Sequence, residues 1–116
     1  MLKDYSFKKV YIACGYTDLR GGIEKLSSLI EIEYDLDPFD EGTLFLFCGR
    51  KLDRVKGLLW EGDGFLVLYK RLENGKYMWP RNITEMKSLS HEQYRLLVTG
   101  FSIESSIKRV SPQRAV

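Results

Sequence analysis

The feature that most constrains this chain is a pair of glycine turns, Asp63-Gly64 and Asn74-Gly75, set among strand-forming residues. Asp-Gly and Asn-Gly favour two-residue type I′ loops, because both central residues must take positive φ. The runs beside them, Val55 to Glu61, Phe65 to Leu72 and Tyr77 to Trp79, are rich in aromatic and branched residues. Ahead of them, Thr43-Leu44-Phe45-Leu46-Phe47-Cys48 is an unbroken apolar run bounded by glycines, the pattern of a central strand buried on both faces. Residues 43–80 are therefore expected to form an antiparallel β-meander.

Two-residue loops also set a register. Trp60 then faces Val67, Leu58 faces Tyr69, Lys56 faces Arg71 and Arg54 faces Glu73, with Lys76 and Met78 falling opposite Glu73 and Arg71 on a third strand. Alternation puts Val55, Gly57, Leu59, Leu66, Leu68, Leu72 and Tyr77 on the other side, with Lys70 opposite Trp79. That second side reads as the core, so the expected fold is α+β, an antiparallel meander with helices packed on one face. The first side mixes cations with rings, the composition that sheets use to bind unpaired bases. Arg50, Lys51, Arg54, Lys56, Trp60, Tyr69, Arg71 and Lys76 are accordingly the candidate nucleic-acid-binding residues. A solvated sheet face, with Trp60 and Tyr69 under a loop or at a subunit interface, is the competing reading. A one-residue slip in either hairpin would exchange the two faces.

The remaining elements are simpler. Lys9-Val10-Tyr11-Ile12-Ala13-Cys14 predicts a first strand ending at Gly15. Thr17 or Asp18 is placed to cap a helical turn, and Ile23, Leu26, Leu29 and Ile30 fall at helical spacing before Pro38 ends the segment. Ser90-His91-Glu92-Gln93 fits a capping box, followed by Tyr94, Leu97 and Val98 on one helical face and a stop at Gly100. Residues 1–101 are read as one α+β domain and residues 102–116 as a partly mobile basic tail.

Charge is uneven along the chain. Residues 1–49 hold five Lys/Arg against nine Asp/Glu, whereas residues 50–81 hold eight against four. A basic middle behind an acidic front suits a nucleic acid or an acidic partner on one face. Chemistry of other kinds finds little support. Two cysteines and one histidine fall short of the four ligands of a structural zinc site, and Cys14 and Cys48 read as buried thiols of a reducing compartment. Asp35, Asp37, Asp40 and Glu41 break the EF-hand pattern at Pro38. Asp53 has basic neighbours to neutralise and Asp63 belongs to its turn, so neither reads as part of a two-metal centre. The expected protein is not an enzyme, needs no cofactor, shows no membrane-spanning or signal segment and stays in the cytoplasm.

Ala13-Cys14-Gly15-Tyr16-Thr17-Asp18-Leu19-Arg20, the Asp37-Pro38-Phe39 loop, Lys51-Leu52-Asp53-Arg54-Val55-Lys56, Trp60 to Phe65, and Tyr69 to Gly75 with Trp79-Pro80 recur in one known family. Over residues 9–100 the chain resembles the Orf2-like accessory proteins (TnpB) of insertion-sequence family 66, which are unrelated to the RNA-guided nuclease of the same name. It departs at Gly21, where members often hold a basic residue. The resemblance implies a protein of a transposable element that supports DNA transposition, with a transposase and element DNA as partners. Two expectations follow: binding of element DNA or a transposase–DNA complex through the basic-aromatic face, or a protein–protein adaptor for the transposase that touches no DNA. A homo-oligomer is compatible with both.

Overall fold

A computed structural model describes residues 7–100 of the chain. Five strands, β1 (Lys9–Ala13), β2 (Thr43–Cys48), β3 (Arg54–Trp60), β4 (Phe65–Arg71) and β5 (Met86–Leu89), form one sheet in the order β4-β3-β2-β1-β5. β2, β3 and β4 make the first three strands of the expected antiparallel meander. The sheet as a whole is mixed, because β1 pairs with β2 in parallel and β5 closes the far edge antiparallel to β1. Parallel neighbours need a long crossover, and here it contains α1 (Ile23–Ser28) running directly into a π-helical turn, Leu29–Glu33. A second helix, α2 (His91–Val98), follows β5.

The expectation of helices on one face is wrong. β2 is buried along its whole length, so each side of the sheet needs its own cover. Leu44, Leu46, Val55, Leu59 and Leu68 pack with Tyr94, Leu97 and Val98 of α2 on one side. Phe45, Phe47 and Leu58 pack with Leu26 of α1 and Ile30 of the π-turn on the other. Gly57 lies under tight packing on the first side: a Cβ there would lie 3.0 Å from Leu44 Cδ1 and 3.2 Å from Leu46 Cδ2. Burial also keeps the Cys48 thiol neutral, pushed up to about 11.

The first hairpin differs from its expected register by two residues. Gly62, at φ +96°, supplies the positive angle, and Glu61 N donates to Gly64 O at 2.9 Å, giving a four-residue loop. Trp60 therefore faces Phe65, Leu58 faces Val67, Lys56 faces Tyr69 and Arg54 faces Arg71. A shift of two preserves the side on which every residue lies, so the basic and aromatic groups still share one face.

The expected third strand at Tyr77–Trp79 does not pair as one. Gly75 turns the chain at φ +87°, but residues 76–80 form a strap across the end of the sheet. Tyr77 N donates to Leu52 O, Trp79 Nε1 to Ala13 O, and Gly15 N to Pro80 O, each within 2.9 Å. Tyr77 and Trp79 enter the α2-side core, so the expected pairing of Lys70 with Trp79 does not form.

At the helix ends, the Ser90 capping box forms as expected, but neither Thr17 nor Asp18 caps α1, whose N-cap is Gly22 without a side-chain bond. The C-terminal tail, expected to be partly mobile, lies outside the described residues.

Candidate nucleic-acid interface

Where β1 and β2 end side by side, their chains diverge. Residues 14–22 rise toward α1, while residues 49–53 turn back into β3. Crevices at the carboxyl ends of adjacent parallel strands are a common place for ligands. A cleft of about 850 Å³ opens here, bounded by the two loops and by the adjoining ends of β3 and β4. Its charged lining is Arg20, Arg50, Lys51, Arg54, Lys56 and the carboxylate Asp18, with Tyr16 and Tyr69 as its rings.

Each charge is held in a specific way. Arg50 Nη2 donates to Tyr16 Oη at 2.9 Å, and the guanidinium lies 4.5 Å from the centre of that ring. Arg54 pairs with Asp53 at 2.8 Å, as sequence proximity suggested, and the bonded guanidinium lowers the Asp53 pKa. Arg54 and Arg71 are like charges directly opposite across the ladder, a destabilising arrangement. Asp53 relieves one, and Glu73, 3.9 Å from Arg71, approaches the other. Lys56 is half-buried beneath the loop before α1, and its ammonium donates to Leu19 O and Gly21 O. An ammonium has three donors, so the third has no partner among the described residues. Asp18 receives Arg20 Nε at 2.9 Å and Nη2 at 2.8 Å, with Lys25 Nζ at 3.4 Å. Those bonds, led by Arg20, hold its carboxyl far below the usual carboxylate range.

Arg81, which sequence reasoning passed over, ties the two loops together. Its guanidinium donates to Gly15 O at 3.2 Å, Gly49 O at 2.6 Å and Arg50 O at 3.1 Å, and lies 5.8 Å from the Tyr16 ring centre. Thr17 N adds a bond to Cys48 O at 2.8 Å. Backbone carbonyls that would otherwise lie unpaired at diverging strand ends thus find donors, and the planar fork of Arg81 fits them better than a point charge would.

Of the eight candidate residues, the structure gathers Arg50, Lys51, Arg54, Lys56 and Tyr69 around the cleft. Trp60 is elsewhere: four residues along β3 from Lys56, or about 13 Å at strand rise, it packs edge-on to Phe39 and Phe65 at 5.1 and 4.9 Å. Arg71 and Lys76 are exposed outside the lining. Tyr16, Asp18 and Arg20 were missed because residues 1–49 are acidic overall, although their segment was part of the family motif. A single arginine beside an aspartate inside an acidic region gives no local signal of a cationic site. Among the described residues, no three His, Cys, Asp or Glu side chains are placed to hold a metal ion, and no helix is long and apolar enough to cross a membrane.

A mixed sheet covered on both sides, with a cleft rich in cationic side chains where its parallel strands end, defines a small α+β protein. Comparison with known proteins assigns its kinship: residues 8–108 match the family described as IS66 Orf2 like protein, and the chain belongs to that family. It is 34% identical over 92 residues to the uncharacterized protein y4hO of Sinorhizobium fredii, covering 79% of each chain. It is 30% identical to y4jC of the same organism over 92 residues, 79% of this chain and 78% of that one. No solved structure matches the chain. Membership gives it an accessory role associated with an insertion sequence.

Proposed function

We propose that this accessory protein supports transposition by binding element DNA, alone or already held by the transposase, through the cleft at the β1/β2 end of the sheet. The observation that carries this reading is the convergence of Arg20, Arg50, Lys51, Arg54 and Lys56 on one opening whose lining contains a single carboxylate, Asp18. Guanidinium and ammonium groups are the usual partners of phosphate oxygens. Lys56 retains a donor with no partner among the described residues, and Arg50 and Lys51 are exposed at the rim. Contacts of this kind displace condensed counterions, so affinity falls steeply with salt. The test is a binding titration of the full chain with element-end DNA and unrelated DNA at 50 and 200 mM salt. Measurable affinity at the lower salt and a marked loss at the higher are expected. Absence of binding at 50 mM salt would overturn the reading.

A second reading, an adaptor that contacts the transposase without DNA, draws on the opposite end of the same face. There Phe39 and Val67 are exposed by 48% and 37% beside Phe65, an apolar patch suited to a protein partner. Retention of the protein by immobilised transposase after nuclease treatment, abolished by Phe39→Asp with Val67→Asp, would favour it.

A further inference from the structure

We infer that the cleft accepts an unpaired DNA strand rather than a double helix, with a base stacked on Tyr69 and the adjoining phosphates held by the arginines and lysines around it. This inference rests on the reading of the cleft as a DNA contact and specifies which form of DNA fits it.

Three observations lead there. The first is size and shape. About 850 Å³ is the scale of small-ligand clefts, and the cations stand at different depths, with Lys56 on the half-buried floor and Arg50 and Lys51 at the open rim. A duplex lying across the mouth would meet the rim and leave Lys56 unused. A single strand can enter with its backbone.

The second is Tyr69. It is 54% exposed at the edge of the cleft, and no other ring packs on it among the described residues. Lys56 Nζ lies 6.0 Å from its centre. An exposed ring beside cations offers a stacking platform to any base, but only to a base with a free face. Inside a duplex, away from its ends, both faces are occupied by neighbouring pairs.

The third is the contrast with Tyr16, the other ring of the lining. Tyr16 already holds Arg50 through its hydroxyl and beneath its ring, with Arg81 nearby. Its role is to fix the Arg50 guanidinium at the rim, which leaves Tyr69 as the ring available to a base. The β3–β4 register makes this arrangement, since Tyr69 sits directly across from Lys56 and a stacked base would bring its phosphate toward the remaining ammonium donor.

The experiment is fluorescence anisotropy with the full chain and three labelled twelve-nucleotide probes of one mixed sequence: single-stranded DNA, the same DNA as a blunt duplex, and single-stranded RNA, all at 50 mM salt. The DNA strand is expected to bind at least about tenfold more tightly than the duplex and at least as tightly as RNA. Tyr69→Ala should weaken strand binding roughly 5- to 150-fold, the range that one base–aromatic stack is worth, and leave duplex binding within about twofold. Tyr69→Phe, which keeps the ring, should restore it. Thermal melts of both variants establish that they fold. Duplex affinity equal to or above that of the strand, an equal loss on both probes in Tyr69→Ala, or binding confined to RNA would overturn this inference and leave the cationic cleft as a phosphate site. Failure of every probe to bind would instead remove the DNA-contact reading itself.

Discussion

The two ends of the β3–β4 ribbon are built on the same face of the same sheet and have opposite fates. At the Arg54 end the face holds cations and Tyr69 beside an opening, while at the Trp60 end it holds rings that pack shut on one another. The cause lies in what reaches each end from elsewhere. The loop containing Phe39 folds onto Trp60 and Phe65 and completes an aromatic cluster. At the other end, the loop before α1 contributes Tyr16, Asp18 and Arg20 and rests its carbonyls on Lys56. Residues on one face of a ribbon thus share an orientation without sharing a function.

The largest effect is expected at Arg81, the residue that secures the open end. Arg81→Ala leaves the carbonyls of Gly15, Gly49 and Arg50 without their charged donor. Each such bond is worth on the order of 1.5–3 kcal/mol, less where water can replace it. A combined loss of about 2–4 kcal/mol in denaturant unfolding is expected, together with weakened DNA binding as the two loops relax. Undiminished affinity would show that the cleft does not depend on this tie.

Trp60→Ala should cost about 2–3 kcal/mol of stability, below the full range for a buried aromatic because Trp60 is only half-buried. DNA affinity of the folded fraction should stay unchanged. A loss of affinity with intact stability would return Trp60 to the interface and dissolve the contrast between the two ends.

Arg50→Ala with Lys51→Ala should leave stability within about 0.5 kcal/mol. The same pair should reduce the log–log salt slope of single-strand binding by about 1.4, at roughly 0.7 for each phosphate contact. Arg71→Ala with Lys76→Ala, on residues of equal charge outside the lining, should leave the slope in place. Equal effects of the two pairs would mean that net charge, not the cleft, directs binding.

The smallest effect concerns Asp18. Its carboxyl is held down by Arg20 first and Lys25 next, so its contribution to stability is complete above the ordinary value of 3.8. That contribution disappears only as pH falls through the lowered value in the folded protein. Asp18→Asn should therefore remove a small part of the acid limb of a stability–pH curve and leave stability near neutrality little changed, since the pair is exposed. Removing the only carboxylate of the lining should also tighten DNA binding severalfold at low salt. Weaker binding would assign Asp18 a positioning role for Arg20.

Much of this was legible from the chain alone. Alternation of side chains identified which residues of residues 54–71 share a face, and that assignment survived a register error because the error was an even number of residues. The Ser90 capping box, the helical stripe from Ile23 to Ile30 and the buried run from Thr43 to Cys48 are local patterns with local causes. The strap was misread because Tyr77 and Trp79 alternate with exposed neighbours in a strand and in an extended strap alike; only the partners of their backbone groups distinguish the two.

By itself, the sequence determined the strands β2, β3 and β4, the parity of their faces, the basic bias of residues 50–81 and the family. Tertiary structure alone decided that β1 lies parallel to β2, that α1 and α2 cover opposite sides, and that Tyr16 and Arg20 meet Arg50 and Lys56 across more than thirty residues of chain. The physical reason is range. Period, capping and turn chemistry act over a few bonds, whereas a cleft forms where separate segments compete to bury apolar surface and satisfy their carbonyls, a choice that no local pattern records.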